Sequence, residues 1–267
     1  LTFVPRQIRA GRHRFAVGSA GSGTLVLQTV LPPLLTADSP SELLLEGGTH
    51  NPFAPPFDFL ERSFLPLVER MGPCIEAILE QPGFYPAGGG RLRVRIDPAP
   101  RLTPLELLAR GDIVSQRATA MVAQLPRQIA ERELRTVADR LGWGKECLEV
   151  REISPAPGPG NVLLIEVASE QVTEVFTGFG ERGVRAERVA ERAAAEALEY
   201  LAADVPVGRH LADQLLLPLA LAGGGAFRTL RPTRHTMTNI EVIRDFLPVA
   251  VEVREEAGGT WQVRIGS

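Results

Sequence analysis

Lysine is almost absent from this chain. Lys145 is the only lysine among 29 lysine and arginine residues, so arginine carries nearly all of the positive charge. We attribute this bias to the composition of the genome rather than to selection for phosphate recognition. The net charge of −3 excludes a general electrostatic attraction to nucleic acid. Any bound polyanion would need a local cluster of arginines.

Cysteines and long apolar runs are also scarce. Cys74 and Cys147 are the only two cysteines, and their spacing fits neither a disulfide framework nor a metal-ligand motif. We expect both to be structural thiols in a reducing compartment. The apolar run from Leu215 to Leu221 is too short for a membrane span and contains Pro218. These absences predict a cytoplasmic protein with no membrane partner.

The pattern of apolar residues predicts an α+β protein. An order of strand, glycine-rich turn, helix and strand recurs around Gly18, Gly83 and Gly223. It predicts a large domain of repeated units, each a four-stranded sheet plus two helices. The pattern changes in the middle of the chain and predicts a smaller inserted α+β domain at 110–202. Residues 1–109 and 203–267 would then form the two parts of the large domain.

Individual elements follow from periodicity and from turn residues. Outside the insert we predict a helix after the glycine-rich run 18–24, further helices at 57–71 and 207–221, and strands at 43–45, 92–96, 227–230, 248–253 and 260–265. Inside it we predict strands at 113–123, 147–152 and 162–167, and helices at 127–141 and 185–201. Arg91, Arg93 and Arg95 alternate with apolar residues, which predicts a strand with one exposed face.

His235 is one of only four histidines and has a distinctive setting. Thr238 and Glu241 have the spacing of a capping box, which predicts that a helix begins at Thr238, just after His235. A helix start presents free N–H groups and a partial positive charge, which attract phosphate. With Arg231 and Arg234 beside it, His235 is suited to chemistry on phosphorus. The alternative is a loop histidine without a catalytic role.

Three further segments are candidate ligand sites. Gly18–Thr24 could hold a phosphate or form a tight turn, and it is not a Walker A loop because no lysine follows it. The proline-rich loop from Asn51 to Phe59 could form a flat slot for a purine or pack on the core. His210, Asp213 and Gln214 share one helix face, which could hold ribose or be a solvated polar surface.

Taken together, these motifs resemble those of the RNA 3′-terminal phosphate cyclases. The matching runs are Gly18-Ser-Ala-Gly-Ser-Gly-Thr-Leu-Val-Leu-Gln28, Glu46-Gly-Gly-Thr-His-Asn-Pro-Phe-Ala-Pro-Pro-Phe-Asp-Phe59, Gly83-Phe-Tyr-Pro-Ala-Gly-Gly-Gly90, Gly158-Pro-Gly-Asn161, His210-Leu-Ala-Asp-Gln214 and His235-Thr-Met-Thr-Asn239. They occur in the family's order and cover essentially the whole chain. Several of them are long and specific.

The resemblance implies an ATP-dependent reaction with a divalent metal, Mg or Mn. The family forms a covalent histidine–AMP and passes AMP to an RNA 3′-phosphate, giving RNA(3′)pp(5′)A. The neighbouring 2′-hydroxyl then displaces AMP and leaves a 2′,3′-cyclic phosphate. By position, His235 matches the nucleophile. A neutral imidazole nitrogen is a competent nucleophile toward phosphorus, which supports this role.

The resemblance also implies the ligand contacts. The residues that match the ATP-contacting positions are Gln28, His210, Leu211, Ala212, Asp213 and Gln214, and those that match the adenine slot are Pro55 and Phe59. Where the family has a tyrosine that stacks on adenine, this chain has His210. The implied partners are ATP and an RNA with a 3′-phosphate end, and a homodimer is also expected.

One family segment has no counterpart in these residues. The family begins with an Asp-Gly-x-x-Gly-Glu-type stretch that supplies a metal-binding glutamate and phosphate-binding arginines. The metal ligands are therefore unassigned, and we expect that segment to precede Leu1, since the sequence starts without a methionine. One alternative from another class is a non-catalytic scaffold in ribosome assembly, which would have no need to keep His235, Asp213 and Gln214. A second is a sugar-nucleotide or enolpyruvyl-type transferase built on similar repeats, which would not explain a histidine nucleophile or a purine slot.

Overall fold

A computed structural model describes Thr2, Val4 and residues 7–266 of the chain. The strands are β1 Gly11–Ala16, β2 Ser41–Gly47, β3 Cys74–Gln81, β4 Gly90–Asp97, β5 Leu105–Leu107, β6 Ile113–Ala123, β7 Leu148–Ile153, β8 Gly160–Ser169, β9 Thr173–Phe179, β10 Gly224–Thr229, β11 Ala250–Glu255 and β12 Trp261–Gly266. The α-helices are α1 Gly23–Leu34, α2 Phe57–Phe59, α3 Leu65–Glu69, α4 Gln128–Leu141, α5 Ala186–Ala203, α6 Arg209–Leu221 and α7 Arg234–Phe246. A π-helical segment at Leu60–Phe64 joins α2 to α3.

The first sheet has the strand order β1-β2-β4-β3. Its first two strands are parallel and α1 crosses between them, whereas β4 is antiparallel to both of its neighbours. On β4 the apolar residues at 92, 94 and 96 are buried and the arginines between them are exposed, as the alternation predicts. The sheet therefore buries one face against helices and exposes a charged face.

The second sheet repeats this arrangement with different strands. Its order is β5-β10-β12-β11, with β5 and β10 parallel and the remaining pairs antiparallel. In each unit the order along the chain is strand, helix, strand, helix, strand, strand. The first two strands are parallel and the last two are an antiparallel pair. The predicted repeats of a four-stranded sheet with two helices therefore exist, and the fold is mixed α and β.

The predicted order of strand, glycine-rich turn and helix is wrong at two of the three glycine-rich segments that suggested the repeats. The segment around Gly83 joins the antiparallel strands β3 and β4, and no helix follows it. Gly223 follows α6 and precedes β10, which reverses the expected order of turn and helix. Only the turn at Gly18 leads from a strand into a helix. Glycine marks sharp turns in many contexts, so its position alone does not identify the unit.

The third sheet has the order β7-β6-β8-β9 and lies in the chain between β5 and α6. Helices α4 and α5 cover one of its faces and enclose a separate apolar cluster that contains Leu134, Val137 and Tyr200. Its other face adds Met121 and Val162 to the main core. The sequence did not predict β9, whose burial on both faces removes the alternation of a half-exposed strand. The short strand β5 was also not predicted.

Apolar side chains from the first two sheets and their helices meet in one core. It joins residues of α1, β2, β4, the segment 57–69 and α6 to β12. Across the described part of the chain, no helix combines the length and the hydropathy needed to cross a bilayer. Cys74 and Cys147 are both free thiols.

One buried acid on a helix that covers the third sheet makes the stability of the fold depend on pH. Glu133 on α4 is 0% exposed, and Asn161 Nδ2 donates to its Oε2 at 2.9 Å. Burial raises the pKa of Glu133 from 4.5 to about 7. The folded protein therefore keeps this proton at pH values at which the unfolded chain has lost it. Its contribution to stability is complete below about pH 4.5 and falls as the pH rises toward about 7.

We predict that Glu133→Gln flattens this slope, because glutamine does not titrate. The wild type should lose up to about 3 kcal/mol of unfolding free energy between pH 4.5 and 7.5 through this group, and the variant should lack that part of the loss. Urea unfolding at both pH values measures it. Glu131→Gln, on the exposed side of the same helix, is the matched control. Equal slopes in wild type and Glu133→Gln would contradict the prediction.

Candidate active site around His235

Helix α7 begins earlier than the sequence predicts, and His235 lies in its first turn. The N-cap is Thr233, whose Oγ1 accepts a hydrogen bond from the Thr236 N–H at 3.1 Å. The capping box predicted at Thr238 and Glu241 is therefore wrong, since both residues lie inside the helix. Both threonines are followed by plausible helical residues, and the sequence pattern alone did not separate them. His235 nonetheless remains at a helix N-terminus, where phosphate is favoured.

Asp213 holds the imidazole of His235 in one orientation. Its Oδ1 lies 3.0 Å from His235 Nδ1, and the Asp213 side chain is 10% exposed whereas that of His235 is 82% exposed. Asn239 Nδ2 donates to the same carboxylate oxygen at 3.1 Å and to the Asp213 backbone oxygen at 3.2 Å. A ring that donates through Nδ1 leaves Nε2 as the nitrogen with a free lone pair.

Two glutamines extend this network to a third helix. Gln214 Nε2 lies 3.3 Å from Asp213 Oδ2, to which it donates. Gln28 on α1 donates through its side-chain amide to Gln214 Oε1. The structure therefore brings together four residues predicted from the sequence, on α1, α6 and α7. We call Gln28, Asp213, Gln214, His235 and Asn239 the His235 network.

A groove of about 630 Å³ lies along this network. Its polar side is formed by the His235 network and Thr238, and its apolar side by residues of α1, α6 and α7 with Phe64. The apolar lining residues are Leu25, Leu31, Pro32, Leu35, Phe64, Leu217, Pro218 and Val242. A mostly apolar groove with a few convergent polar groups is the usual form of a small-molecule site. The sequence analysis gave Asn239 no role and Thr238 only that of a helix cap, although both occur in the motif that begins at His235.

The remaining residues of the 210–214 motif have different environments. His210 is 74% exposed, and its Nε2 lies 3.6 Å from Glu196 Oε2. The carboxylate of Glu196 raises the pKa of His210. Leu211 and Ala212 are 0% and 1% exposed, so their side chains belong to the core. Of these two residues, only backbone atoms could reach a ligand.

Phe59 is also a core residue, because it is 3% exposed and packs in the main apolar cluster. Pro55, four residues earlier, is half-buried. The groove beside His235 includes none of Pro55, Phe59 and His210 in its lining. Phe59 therefore packs on the core, which was the alternative to a ligand slot for the proline-rich loop. A purine slot that includes Pro55, Phe59 and His210 stays a prediction.

The glycine-rich segments pack against one another. Gly48 N–H donates to Gly21 O at 2.8 Å, and Gly23 N–H donates to Gly48 O at the same distance. A Cβ at Gly88 would lie 2.7 Å from Ser19 O, so only glycine fits that approach. Ser22 is the N-cap of α1 and accepts from Leu25 N–H at 3.1 Å. The segment 18–24 thus forms a tight turn whose N–H groups are partly used inside the protein.

Arginine side chains lie close to His235 in the sequence, but the described residues offer no cluster of metal ligands. Arg231 and Arg234 flank His235 and are exposed. The described residues contain no group of three or more histidine, cysteine, aspartate or glutamate side chains that could hold a metal ion. The metal ligands therefore stay unassigned.

Comparison with known proteins points to one family. The family model described as RNA 3′-terminal phosphate cyclase matches residues 1–253. A protein of that name from Koribacter versatilis is 53% identical over 256 residues, covering 96% of this chain and 72% of the relative. One from Ectopseudomonas mendocina is 52% identical over 251 residues, covering 94% and 73%. One from Salmonella paratyphi C is 47% identical over 265 residues, covering 99% and 76%.

We predict that Thr233→Ala lowers the free energy of unfolding by about 1 kcal/mol, because the Thr236 N–H loses its acceptor. Thr238→Ala is the matched control and should change stability by less than about 0.5 kcal/mol, since alanine is favourable inside a helix. Urea unfolding of both variants measures the difference. A larger loss in Thr238→Ala than in Thr233→Ala would place the helix start at Thr238.

Proposed function

Because the chain belongs to the RNA 3′-terminal phosphate cyclase family, we propose that it converts an RNA 3′-terminal phosphate into a 2′,3′-cyclic phosphodiester with ATP as co-substrate. The observation that carries the proposal is the contact of 3.0 Å between His235 Nδ1 and Asp213. A scaffold for ribosome assembly would have no use for this oriented pair.

The pair makes His235 a nucleophile through Nε2. The Nδ1–H donates a hydrogen bond to the Asp213 carboxylate, so the free lone pair is on Nε2, and the His235 side chain is largely exposed. When Nε2 attacks an electrophile, the ring becomes positively charged, and the neighbouring carboxylate stabilises that charge. Asn239 and Gln214 hold the carboxylate, so it does not have to reorient during the reaction.

The proposed first step forms a bond between His235 Nε2 and the α-phosphorus of ATP. The bond from that phosphorus to the bridging oxygen breaks, and pyrophosphate leaves. The Nδ1 proton stays on the ring, next to Asp213. The product is a covalent histidine–AMP, and its N–P bond remains reactive because the charged ring is a good leaving group.

The next two steps transfer AMP and close the ring. An oxygen of the RNA 3′-phosphate attacks the phosphorus of AMP, the N–P bond breaks and His235 regains its lone pair. The RNA now ends in a (3′)pp(5′)A linkage. The neighbouring 2′-hydroxyl oxygen attacks the RNA phosphorus and its proton passes to solvent. The bond from that phosphorus to the oxygen it shares with AMP breaks, and AMP leaves with that oxygen. AMP is a far better leaving group than hydroxide, which is the reason for activating the monoester first.

We assign the nucleotide contacts to the predicted residues. Gln28 and Gln214 offer amide groups at the groove, and His210 offers an exposed ring with a raised pKa one helical turn away. Leu211 and Ala212 would contribute backbone atoms, and Pro55 with Phe59 is proposed as the edge of an adenine slot. The first turn of α7, with Arg231 and Arg234, supplies positive potential for phosphates. A divalent metal would neutralise phosphate charge.

We further propose that residues 110–202 form an inserted domain. The third sheet interrupts the second repeat between β5 and α6 and has an apolar cluster of its own, which supports this division. A homodimer and a cytoplasmic location stay predictions.

We predict that the full-length protein, incubated with α-labelled ATP and a divalent metal, acquires an acid-labile, base-stable label that His235→Ala abolishes. The reason is that a phosphoramidate hydrolyses in acid whereas a phosphoester resists it. Gel autoradiography after acid and base treatment measures the label. His13→Ala is the matched control and should keep it.

The same preparation should cyclise RNA ending in a 3′-phosphate and leave RNA ending in a 3′-hydroxyl unchanged. Equal label on wild type and His235→Ala would remove His235 from the mechanism. Cyclisation of the 3′-hydroxyl end would contradict the activation scheme.

We predict that Asp213→Asn slows the formation of this label by about 100-fold or more, because an amide no longer stabilises the charged ring and can favour the wrong tautomer. Asn239→Ala leaves the carboxylate in place and should slow it less. Single-turnover rates at saturating ATP measure both variants. A rate for Asp213→Asn within about twofold of wild type would show that the contact between Asp213 and His235 has no part in the chemistry.

A further inference from the structure

A second buried acid contacts the helix that carries Asp213. Glu174 lies on β9 and is 2% exposed. Its Oε1 accepts a hydrogen bond from the backbone N–H of Gly208, which is the N-cap of α6. The contact joins the third sheet to the first turn of α6. Neither residue belongs to the motifs that suggested the function.

Glu174 takes the place of the acidic residue of a capping box. In such a box the side chain of the third helical residue accepts the backbone N–H of the N-cap, one of the N–H groups that a helix start leaves without a partner. In α6 the third residue is Leu211, which has no side-chain acceptor, and α6 has no side-chain cap of its own. The carboxyl group of Glu174 provides the acceptor from another sheet. Its dipole also opposes the partial positive charge of the helix start.

The contact with Glu174 leaves little room for a side chain at Gly208. A Cβ there would lie 3.0 Å from the Glu174 carboxyl group, which is tighter than an ordinary contact. The backbone at Gly208 has φ −75°, a value open to any residue. A side chain at position 208 would therefore push the Glu174 carboxyl group away by a few tenths of an ångström, so the glycine favours the close approach of Glu174 rather than a special backbone conformation.

The contact is one turn away from the His235 network. The Ala212 N–H donates to Gly208 O at 2.9 Å in the first turn of α6, and Asp213 follows directly. Asp213 in turn holds His235 at 3.0 Å. A shift of the first turn would move the carboxylate relative to the ring. Misplacement of reacting groups by about 1 Å can slow catalysis by about 100-fold.

We propose that Glu174 is a positioning residue for adenylyl transfer: its carboxyl group fixes the start of α6 against the third sheet and so sets the position of Asp213 under His235. This inference rests on the proposed function. Glu174 does not touch the reacting atoms and acts only through α6.

The protonation of Glu174 determines which variant should preserve the contact. Burial raises its pKa to about 8, so at pH 7 the carboxyl group is mostly neutral. The titratable groups around it are His210 on α6 and Tyr200 on α5, with Arg110 and Asp204 beyond Tyr200. A neutral carboxyl group accepts the Gly208 N–H through its carbonyl oxygen. Glutamine has the same size and acceptor, so it imitates this state.

The test compares Glu174→Ala with Glu174→Gln in the full-length protein, with Glu133→Ala as the matched control. All three replace a buried acid of the third-sheet region, but only Glu174 contacts α6. The measurement is the single-turnover rate of label transfer from α-labelled ATP, at saturating ATP and pH 7. We expect Glu174→Ala to be slower by about tenfold or more and Glu174→Gln to stay within about threefold of wild type. Glu133→Ala should lose stability but keep the wild-type rate.

A structural measurement separates this inference from the proposed function. Hydrogen exchange of the Gly208 amide should be at least about tenfold faster in Glu174→Ala than in wild type or Glu174→Gln, because its acceptor is lost. Absence of label on the wild type would overturn the proposed function, and the exchange rates would then decide whether Glu174 holds α6. If Glu174→Ala does not fold, Gly208→Ala disturbs the same contact from the other side and should also slow the label.

Two results would overturn the role of Glu174. One is a wild-type labelling rate in Glu174→Ala. The other is a loss of rate in Glu133→Ala as large as that in Glu174→Ala, since general destabilisation would then explain both. Unchanged exchange at Gly208 would exclude the contact itself.

Discussion

The carboxylate of Asp213 is the group on which the site depends. It lies on α6, at the meeting point of three helices, and is almost buried. His235 and Asn239 of α7 and the neighbouring Gln214 all contact it, and Gln214 connects it to Gln28 of α1. A nearly buried carboxylate is stable only when its oxygens have partners, so its hydrogen bonds fix the relative positions of the three helices. The hydrogen bonds that offset the cost of burying the Asp213 carboxylate also orient the ring of His235.

The repeated architecture explains how distant parts of the chain reach this point. Each βαβαββ unit places its two helices on one face of its sheet, and α1 belongs to the first unit while α6 and α7 belong to the second. The apolar faces of the two units share one core, so their helices lie side by side. The groove therefore forms between units rather than within one. The packed glycine turns around Gly21, Gly48 and Gly88 lock the end of the first sheet from which α1 starts.

Features that depend on neighbouring residues in the sequence were predicted better than features that depend on distant residues. The alternation of Leu92, Val94 and Ile96 with arginines is local, and it predicted β4 correctly. Strand β9 is buried on both faces and has no such pattern, so it was not predicted. The start of α7 depends on which of two threonines accepts a hydrogen bond from a backbone N–H of the first turn. The sequence favoured Thr238, whereas the structure has Thr233 in this role.

Contacts between distant residues had no local signal. The motif containing Asp213 and the motif containing His235 were both identified, but as separate features. Their contact, and the one between Gln28 and Gln214, exists only because the two repeats pack together. Phe59 illustrates the converse, since a residue singled out as part of a ligand slot packs in the core. Membership of a motif therefore indicated which segments meet at the candidate site, while the environment of each side chain was apparent only from its burial and its partners.

Asp213 and Glu174 use the same chemical group for two purposes. Asp213 lines the groove, and a histidine and two amides contact its carboxylate, which is placed to stabilise positive charge that develops on the ring of His235. Glu174 is enclosed by β9, α5 and the start of α6, and desolvation raises its pKa to about 8. It therefore accepts a hydrogen bond near neutral pH without placing a full charge in the interior. Asp213 is part of α6, whereas Glu174 contacts the N-cap of that helix from β9. The surroundings of each carboxyl group therefore determine whether it stabilises charge during the reaction or accepts a hydrogen bond that positions the helix.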